Sequence, residues 1–161
     1  MTLQEKIAAE LSRLDASGAL ASGPQHVAVE YDARQLQCEI ETLDRLGCAV
    51  SRLNIASPAL AAASLERLQS VGQALAARLT YLLEPIAVLE CDADEQTVQM
   101  RSQPPQRQNR QTYYYELLVG RGRLELRRYV KDPDQRRRCV AAHLTREVLL
   151  RLTGDLAAAA G

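Results

Sequence analysis

The chain has 161 residues, and its 20 lysines and arginines balance its 20 aspartates and glutamates, so the formal net charge is zero. This length fits a single domain, residues 1–161, which buries roughly 68–70% of the surface that the unfolded chain exposes. No apolar stretch approaches the ~20 residues that span a bilayer, and the N-terminus lacks the basic start and apolar run of a signal peptide. We therefore expect a cytoplasmic protein that does not insert into a membrane.

The zero sum hides a strong sorting of charge along the chain. Residues 1–100 carry 14 acidic and 7 basic side chains, whereas residues 101–151 carry 13 basic and 5 acidic ones. Such an asymmetry is typical of a surface that attracts anionic partners, or of two faces that attract each other within one molecule or between copies. The Arg-rich final third is therefore the first place to look for a binding surface.

The chain opens with a predicted amphipathic helix over residues 1–17. Thr2 and, three residues later, Glu5 form a capping box. The apolar residues that recur at helical spacing are Leu3, Ile7, Leu11 and Leu14. A Ser/Gly/Pro segment that runs to Pro24 ends this helix and is typical of a linker.

A strand pattern follows from His26, where Val27, Val29 and Tyr31 alternate with Ala28 and Glu30. Residues 32–46 fit two interpretations. Their apolar and polar residues alternate over eight positions, which predicts a strand with its charges on one face, but some of the same residues also fit a helical stripe. We favour the strand, followed by a turn at residues 44–47 and a further strand over 48–55.

A long central helix is predicted next, between Ser57 and Pro85. Ser57 and Pro58 are typical of the first positions of a helix, and Pro85 is typical of a stop. The apolar stripe on one face of this predicted helix consists of Leu68, Val71, Leu75, Leu79 and Leu82.

The remaining chain predicts hairpins and a closing helix. Strands over 86–91 and 97–101 flank an acidic turn, and strands over 112–119 and 123–130 flank Gly120 and Gly122. We expect residues 102–111, with two prolines and no aliphatic residue, to form a mobile loop. A charged turn at 131–138 and a short strand at 139–144 precede a helix that is capped by Thr145 and ended by Gly154, and the tail 157–161 is expected to fray.

These elements predict the α+β class, with an antiparallel sheet of about 6–8 strands built from hairpins. The sheet packs against the long central helix, and further helices lie at the N- and C-termini. The order of helix, strands, helix, strands, helix resembles that of type III secretion chaperones in outline. This resemblance covers most of the chain as element order, contains no shared motif, and transfers no residue.

Metal and cofactor sites are not indicated. Cys38, Cys48, Cys91 and Cys139 form no CxxC pair and have no histidine at ligand spacing, so we expect isolated buried thiols. Gly120 and Gly122 join strand to strand, whereas a phosphate-binding loop joins a strand to a helix. The carboxylate pairs Glu39 with Glu41 and Asp92 with Asp94 lack a third ligand, which favours a solvated strand face and a polar turn.

Arginines of the final third are the candidate residues for binding an anion or a partner. The nine that we select are Arg107, Arg110, Arg121, Arg123, Arg127, Arg128, Arg136, Arg137 and Arg138. Arginines near one another would bind phosphates, and Tyr113, Tyr114 and Tyr115 offer rings for stacking on bases. The alternative is that these arginines keep an antiparallel sheet soluble and discourage pairing at its edges.

We expect a non-enzymatic protein-interaction module that forms a homodimer, whose partner is another protein or a second copy of the chain. One alternative is a binder of nucleic acid or another anionic ligand that uses the Arg-rich region 101–151. A further alternative is an enzyme with a pocket around His26 or His143, which requires a nearby carboxylate or thiol.

Overall fold

A computed structural model describes all residues from 1 to 161. The helices are α1 (Leu3–Ser17), α2 (Leu65–Arg78) and α3 (Arg146–Ala159). The strands are β1 (Gln25–Tyr31), β2 (Arg34–Leu43), β3 (Gly47–Ala56), β4 (Ile86–Asp92), β5 (Thr97–Ser102), β6 (Gln106–Gln108), β7 (Gln111–Gly120), β8 (Arg123–Lys131), β9 (Arg138–Val140) and β10 (Ala142–Thr145). Short 3-10 turns lie at Ala19–Ser22 and Pro58–Leu60.

All ten strands belong to one antiparallel sheet, which confirms the predicted α+β class. The main order is β1-β2-β3-β8-β7-β5-β4, and the short strands β10, β6 and β9 pair with β3, β7 and β8. The sheet has more strands than the expected 6–8. The reason is that β6 and β9 have only three residues each, which is too short for an apolar alternation to be detected.

The sheet splits at one end. Strands β3 and β8 pair over only four positions, residues 53–56 with residues 123–126. Beyond them β3 pairs with β10, and β8 pairs with β9. Because only Ala141 separates β9 from β10, the chain passes directly from one side of the split to the other. We call β1, β2, β3 and β10 the first arm, and β4 to β9 the second arm.

A layer of three helices covers one face of the sheet. Helix α3 lies between the other two and contacts both, while α1 packs on β1 and α2 packs on β4, β5 and β7. The predicted stripe of α1 is buried as expected, and Thr2 and Glu5 make both bonds of the capping box. The opposite face of the sheet carries polar and aromatic side chains and has no helix on it, and we call it the open face.

The central helix is shorter than predicted. Pro58 begins a single 3-10 turn, and α2 begins only at Leu65, where the Ser64 hydroxyl accepts a hydrogen bond from the Arg67 N–H. The helix ends at Arg78, so α2 has 14 residues against 15 in α1. Its close approach to the sheet depends on Gly72, where an added Cβ would lie 3.2 Å from the Met100 sulfur.

The ambiguous segment 32–46 contains the strand β2 (Arg34–Leu43) and no helix, in agreement with the interpretation that we favoured. Asp32 and Ala33 form the tight turn into β2 with φ angles of 50° and 62°, a conformation that fits the twist of a two-residue hairpin. Residues 102–111, expected to be a loop, include the strand β6 paired with β7. Backbone pairing with β7, which the polar sequence did not reveal, produces this short strand.

The C-terminal tail is packed, although residues 157–161 were expected to fray. Helix α3 passes through Gly154, the predicted end, and continues to Ala159. Ala160 is fully buried, and its carbonyl accepts a hydrogen bond of 2.8 Å from the hydroxyl of the buried Ser57. The small apolar side chains at the end of α3 thus belong to the core.

The junction between β3 and β8 should be sensitive to loss of apolar volume. Leu124, opposite Ile55, is 1% exposed, so Leu124→Ala should lower the free energy of unfolding by about 2–5 kcal/mol in urea denaturation. Leu118→Ala is the matched control, because Leu118 is 38% exposed on the open face and its loss should change stability by about 0.5 kcal/mol or less. Equal losses in the two variants would contradict this assignment of the core.

Candidate functional site

Six of the nine candidate arginines lie near the two ends of one hairpin, and the guanidinium groups of Arg127, Arg128 and Arg137 lie between these ends. The pairing of β7 with β8 runs from Thr112 opposite Lys131 to Gly120 opposite Arg123. Eight residue steps separate these pairs, which corresponds to about 27 Å. Arg121 and Arg123 lie at one end, whereas the opposite end carries Arg107, Arg110, Arg136 and Arg138. The nine arginines therefore do not meet in one patch.

Four of the nine arginines are held by carboxylates of the same chain. The ion pairs are Arg127 with Glu125 at 2.6 Å, Arg128 with Glu84 at 2.9 Å, Arg137 with Glu116 at 2.5 Å, and Arg138 with Asp132 at 3.6 Å. The other five have no carboxylate oxygen within 4.0 Å. An anionic partner at the β6–β7 end would thus meet the unpaired Arg107, Arg110 and Arg136, rather than nine free cations.

Glu116 is the centre of a network on the open face of the sheet. Its side chain is 4% exposed and accepts hydrogen bonds from Gln99 at 2.9 Å, Arg101 at 3.2 Å and Arg137 at 2.5 Å. The guanidinium of Arg137 also stacks on the Tyr129 ring at 3.9 Å. Because Arg137 comes from the connection between β8 and β9, these contacts fasten that connection to the sheet.

The charge of Glu116 is stabilised in the folded state. Burial by itself raises the pKa of this carboxyl, but hydrogen bonds from Arg137, Gln99 and Arg101 outweigh it and hold the pKa below the ordinary value of 4.5. A carboxyl with a lowered pKa contributes stability above the pKa of the unfolded chain. That contribution is lost as the pH falls through the folded-state pKa.

Replacing Glu116 should therefore weaken the acid dependence of stability. The free energy of unfolding of the natural chain should fall as the pH drops below about 4.5. The free energy of unfolding of Glu116→Gln should fall less over the same pH range. Urea denaturation at a series of pH values measures both slopes. Some dependence of stability on pH should remain in the variant because of Glu125. Burial raises the pKa of Glu125, but hydrogen bonds from Arg52 and Arg127 outweigh burial and lower that pKa as well. Identical slopes would contradict the role of Glu116.

A cleft of about 1080 Å³ opens between the two arms, where the sheet splits. One wall consists of β10, the start of α3 and the adjoining ends of β2 and β3. The other wall consists of residues 81–85 after α2, residues 104–108 around β6, and side chains of β7 and β8. Residues 139–141 of β9 and the link to β10 lie between the walls.

A buried ion pair lies in the second wall. Arg128 and Glu84 each expose only 10% of their side chains, and Arg128 Nη2 lies 2.9 Å from Glu84 Oε2. The guanidinium stacks on the Tyr115 ring at 4.5 Å and donates to the Gln106 Oε1 at 3.0 Å. Tyr113 lies further from it, at 5.8 Å from its ring centre. The wall of the cleft thus contains a guanidinium group that an ion pair, a hydrogen bond and an aromatic ring hold in place.

Two polar atoms of this pair have no partner. Arg128 Nη1 and Glu84 Oε1 make no hydrogen bond and have almost no solvent contact. A buried donor or acceptor without a partner costs free energy, and more so when the group is charged. The pair is therefore incomplete as a structural unit.

Sequence reasoning selected Arg128 only as one of nine, and it missed Glu84 and Gln106. A signal was present for Arg128, because it lies on the same face of β8 as the buried Leu124 and Leu126. No such signal marked Glu84, which lies in a connection, or Gln106, which lies in a polar run. Their convergence depends on chain segments that are far apart in sequence.

The residues of the enzyme alternative are separated. His143 lines the cleft and is exposed, whereas His26 lies on β1 and does not line it. Cys139 also lines the cleft, but partial burial of its sulfur raises the pKa of the thiol even though the residue is exposed overall, and the thiol donates to the Ser51 carbonyl at 3.5 Å. A protonated thiol is a weak nucleophile, so this arrangement does not favour Cys139 as a catalytic group.

The prediction that all four cysteines are buried is wrong for two of them. Cys38 and Cys48 are buried, whereas Cys91 and Cys139 are exposed, and all four are free thiols. No group of three or more His, Cys, Asp and Glu side chains is placed to hold a metal ion.

Comparison of the chain with models of known protein families found no match. Comparisons with curated proteins and with solved structures found none either. None of the three helices has the length and apolar character needed to cross a bilayer. The support for a function therefore comes from the geometry of the cleft and of the sheet edges.

Proposed function

We propose that this chain is a non-enzymatic protein-interaction module that binds an extended segment of a partner protein in the cleft. The observation that carries the proposal is that the edges of β9 and β10 line the cleft. An extended chain binds to an exposed strand edge through backbone hydrogen bonds, and neighbouring pockets select its side chains.

The lining residues show that β10 presents its edge. His143, Leu144 and Thr145 all line the cleft, although consecutive side chains of a strand point to opposite faces. The Arg146 N–H donates to the Leu46 carbonyl at 3.2 Å. In an antiparallel pair, hydrogen-bonded positions alternate along each strand, so Leu144 and Ala142 also direct their N–H and C=O groups at β3. His143 lies out of phase with that series, and its N–H and C=O therefore point away from β3.

The rest of the cleft fits a polypeptide better than a small metabolite. Pockets for small molecules are usually about 300–1,000 Å³, and this cleft, at about 1080 Å³, lies just above that range and is open to solvent. Its walls contain Tyr81, Tyr113 and Tyr115 together with Pro85 and Pro104. Tyrosine combines a large apolar ring with a polar end, which makes it common at protein interfaces.

Removal of the His143 N–H should weaken binding at this edge. The experiment selects binders to the immobilised protein from a displayed library of random peptides, and maps their site by amide hydrogen exchange. We expect protection of residues 139–145 by the selected peptides. We also expect an affinity loss of about tenfold or more in His143→Pro, which removes a hydrogen-bond donor to the peptide.

His143→Ala is the matched control, because it removes the imidazole and keeps the N–H. Binding that survives in His143→Ala and is lost in His143→Pro supports pairing at the strand edge. Protection elsewhere on the protein, or equal affinity of the two variants, would refute the proposal.

The homodimer is a second proposal, and the edge strand β4 supports it. The outer side of β4 has no neighbouring strand, and Val88 and Leu89 on it are 37% and 43% exposed. An exposed strand edge with apolar side chains is a template for pairing with another chain. Two copies related by a two-fold axis would bring β4 against β4 in antiparallel orientation.

Sedimentation at micromolar concentration tests this dimer. We expect the natural chain to sediment as a dimer and Leu89→Lys to sediment as a monomer, because the substitution places two like charges at the interface. Leu46→Lys is the control, since Leu46 is 83% exposed in the turn between β2 and β3, far from β4. A natural chain that stays monomeric at every concentration would refute the dimer.

A further inference from the structure

The ion pair in the cleft wall has a geometry that suits one type of ligand group. Arg128 is held by the Tyr115 ring on one side, by Glu84 at 2.9 Å and by Gln106 at 3.0 Å. Its guanidinium is thus fixed in position before any ligand arrives. The atoms of the pair that remain without a partner are the donor nitrogen Arg128 Nη1 and the acceptor oxygen Glu84 Oε1.

The charges of this pair select against charged ligands. Arg128 and Glu84 neutralise each other, so an incoming carboxylate gains from Arg128 and is repelled by Glu84. An incoming ammonium group is attracted by Glu84 and repelled by Arg128. A neutral group that carries both an acceptor and a donor satisfies the two free atoms without adding charge. The carboxamide of Asn or Gln is such a group, because its oxygen accepts and its NH₂ donates.

The chain already places a carboxamide on Arg128. The Gln106 oxygen accepts a hydrogen bond from Arg128 Nη2, but the Gln106 NH₂ makes no hydrogen bond, and Glu84 Oε1 remains without a donor. Gln106 is exposed, and this bond is the only hydrogen bond of its side chain. The internal carboxamide therefore satisfies the pair only in part, while the free atoms of Arg128 and Glu84 stay closed off from solvent.

We propose that the partner segment presents an Asn or Gln side chain to Arg128 Nη1 and Glu84 Oε1, and that Gln106, which bonds to the adjacent Arg128 Nη2, blocks access to these two atoms in the free chain. This inference rests on the proposed binding of an extended segment in the cleft. The partner's carboxamide accepts from Arg128 and donates to Glu84, which makes two hydrogen bonds where Gln106 makes one. Displacement of Gln106 opens the pair to the ligand, so Gln106 acts as an internal competitor.

Capped single residues test the chemistry directly. The probes are N-acetyl-glutamine N-methylamide and the corresponding glutamate compound, titrated into the whole protein while the backbone and arginine Nε–H signals are followed by NMR. We expect the glutamine probe to shift the signals of Arg128 and Tyr115 and the glutamate probe to bind at least about tenfold more weakly. We also expect Gln106→Ala to bind the glutamine probe about tenfold more tightly, because one competing hydrogen bond to a charged group is lost.

Two variants control for structure. Gln108 is the other glutamine of β6 that lines the cleft, and it makes no hydrogen bond to Arg128. Gln108→Ala should therefore leave the affinity for the glutamine probe unchanged. Removing Arg128 alone would leave Glu84 buried without a cation, which destabilises a fold. The double variant Glu84→Gln with Arg128→Met avoids this cost. We expect it to keep the NMR spectrum of a folded protein and to show no binding of the glutamine probe.

The two proposals fail in different ways. Equal affinity for the glutamine and glutamate probes, or no gain in Gln106→Ala, overturns the carboxamide inference even when selected peptides protect residues 139–145. Protection of another surface by the selected peptides overturns the peptide-binding proposal. The carboxamide inference would then lose the segment on which it depends.

Discussion

The four-position pairing of β3 with β8 is the constraint on which the rest of the structure depends. It is the only place where the two arms share a sheet ladder, and Leu53, Ile55, Leu124 and Leu126 fill its helix-facing side. Where this pairing ends, each strand has a free edge that must find other backbone partners. Strands β9 and β10 supply them, one on each arm, and the edges on their other sides line the cleft. The cleft, which is the proposed partner site, is thus a consequence of how the sheet is closed at its centre.

Two ion pairs join the acidic first part of the chain to its basic final third. Glu84 from the acidic first part pairs with Arg128, and Asp15 pairs with Arg146, so the two parts attract each other within one molecule. Arginine suits these positions because its planar guanidinium bonds to carboxylates and stacks on tyrosine rings at the same time. The tyrosine run serves both faces of the sheet. Tyr114 lies near Arg101 and Arg137 on the open face, and Tyr115 supports Arg128 in the cleft.

The proposed mode of binding combines the buried ion pair with the free strand edge. A strand edge binds any extended backbone, and it distinguishes little between sequences. In this proposal the neutralised ion pair, with one free nitrogen and one free oxygen atom, adds selectivity, because a ligand that does not satisfy both atoms leaves a buried polar group unpaired. Burial of Arg128 and Glu84 is expensive in solvation free energy, and stacking on Tyr115 and the mutual attraction of the charges offset that cost. Affinity would come from the backbone and discrimination from the side chains.

The sequence alone determined the elements that depend on local patterns. The capping box at Thr2 and the 3.6-residue spacing after it predicted α1, and alternation predicted β1, β2 and the hairpin of β7 with β8. Tertiary structure decided the rest: the three-residue strands, the start of α2 at Leu65, the buried end of α3 and the cleft between the arms. These features depend on backbone pairing and burial between segments that are distant along the chain, which leave no periodic trace in the sequence. The alternation of β8 placed Arg128 on its apolar face, but only the folded chain brought Glu84 and Gln106 to it, because long-range packing chooses the partners of a buried charge.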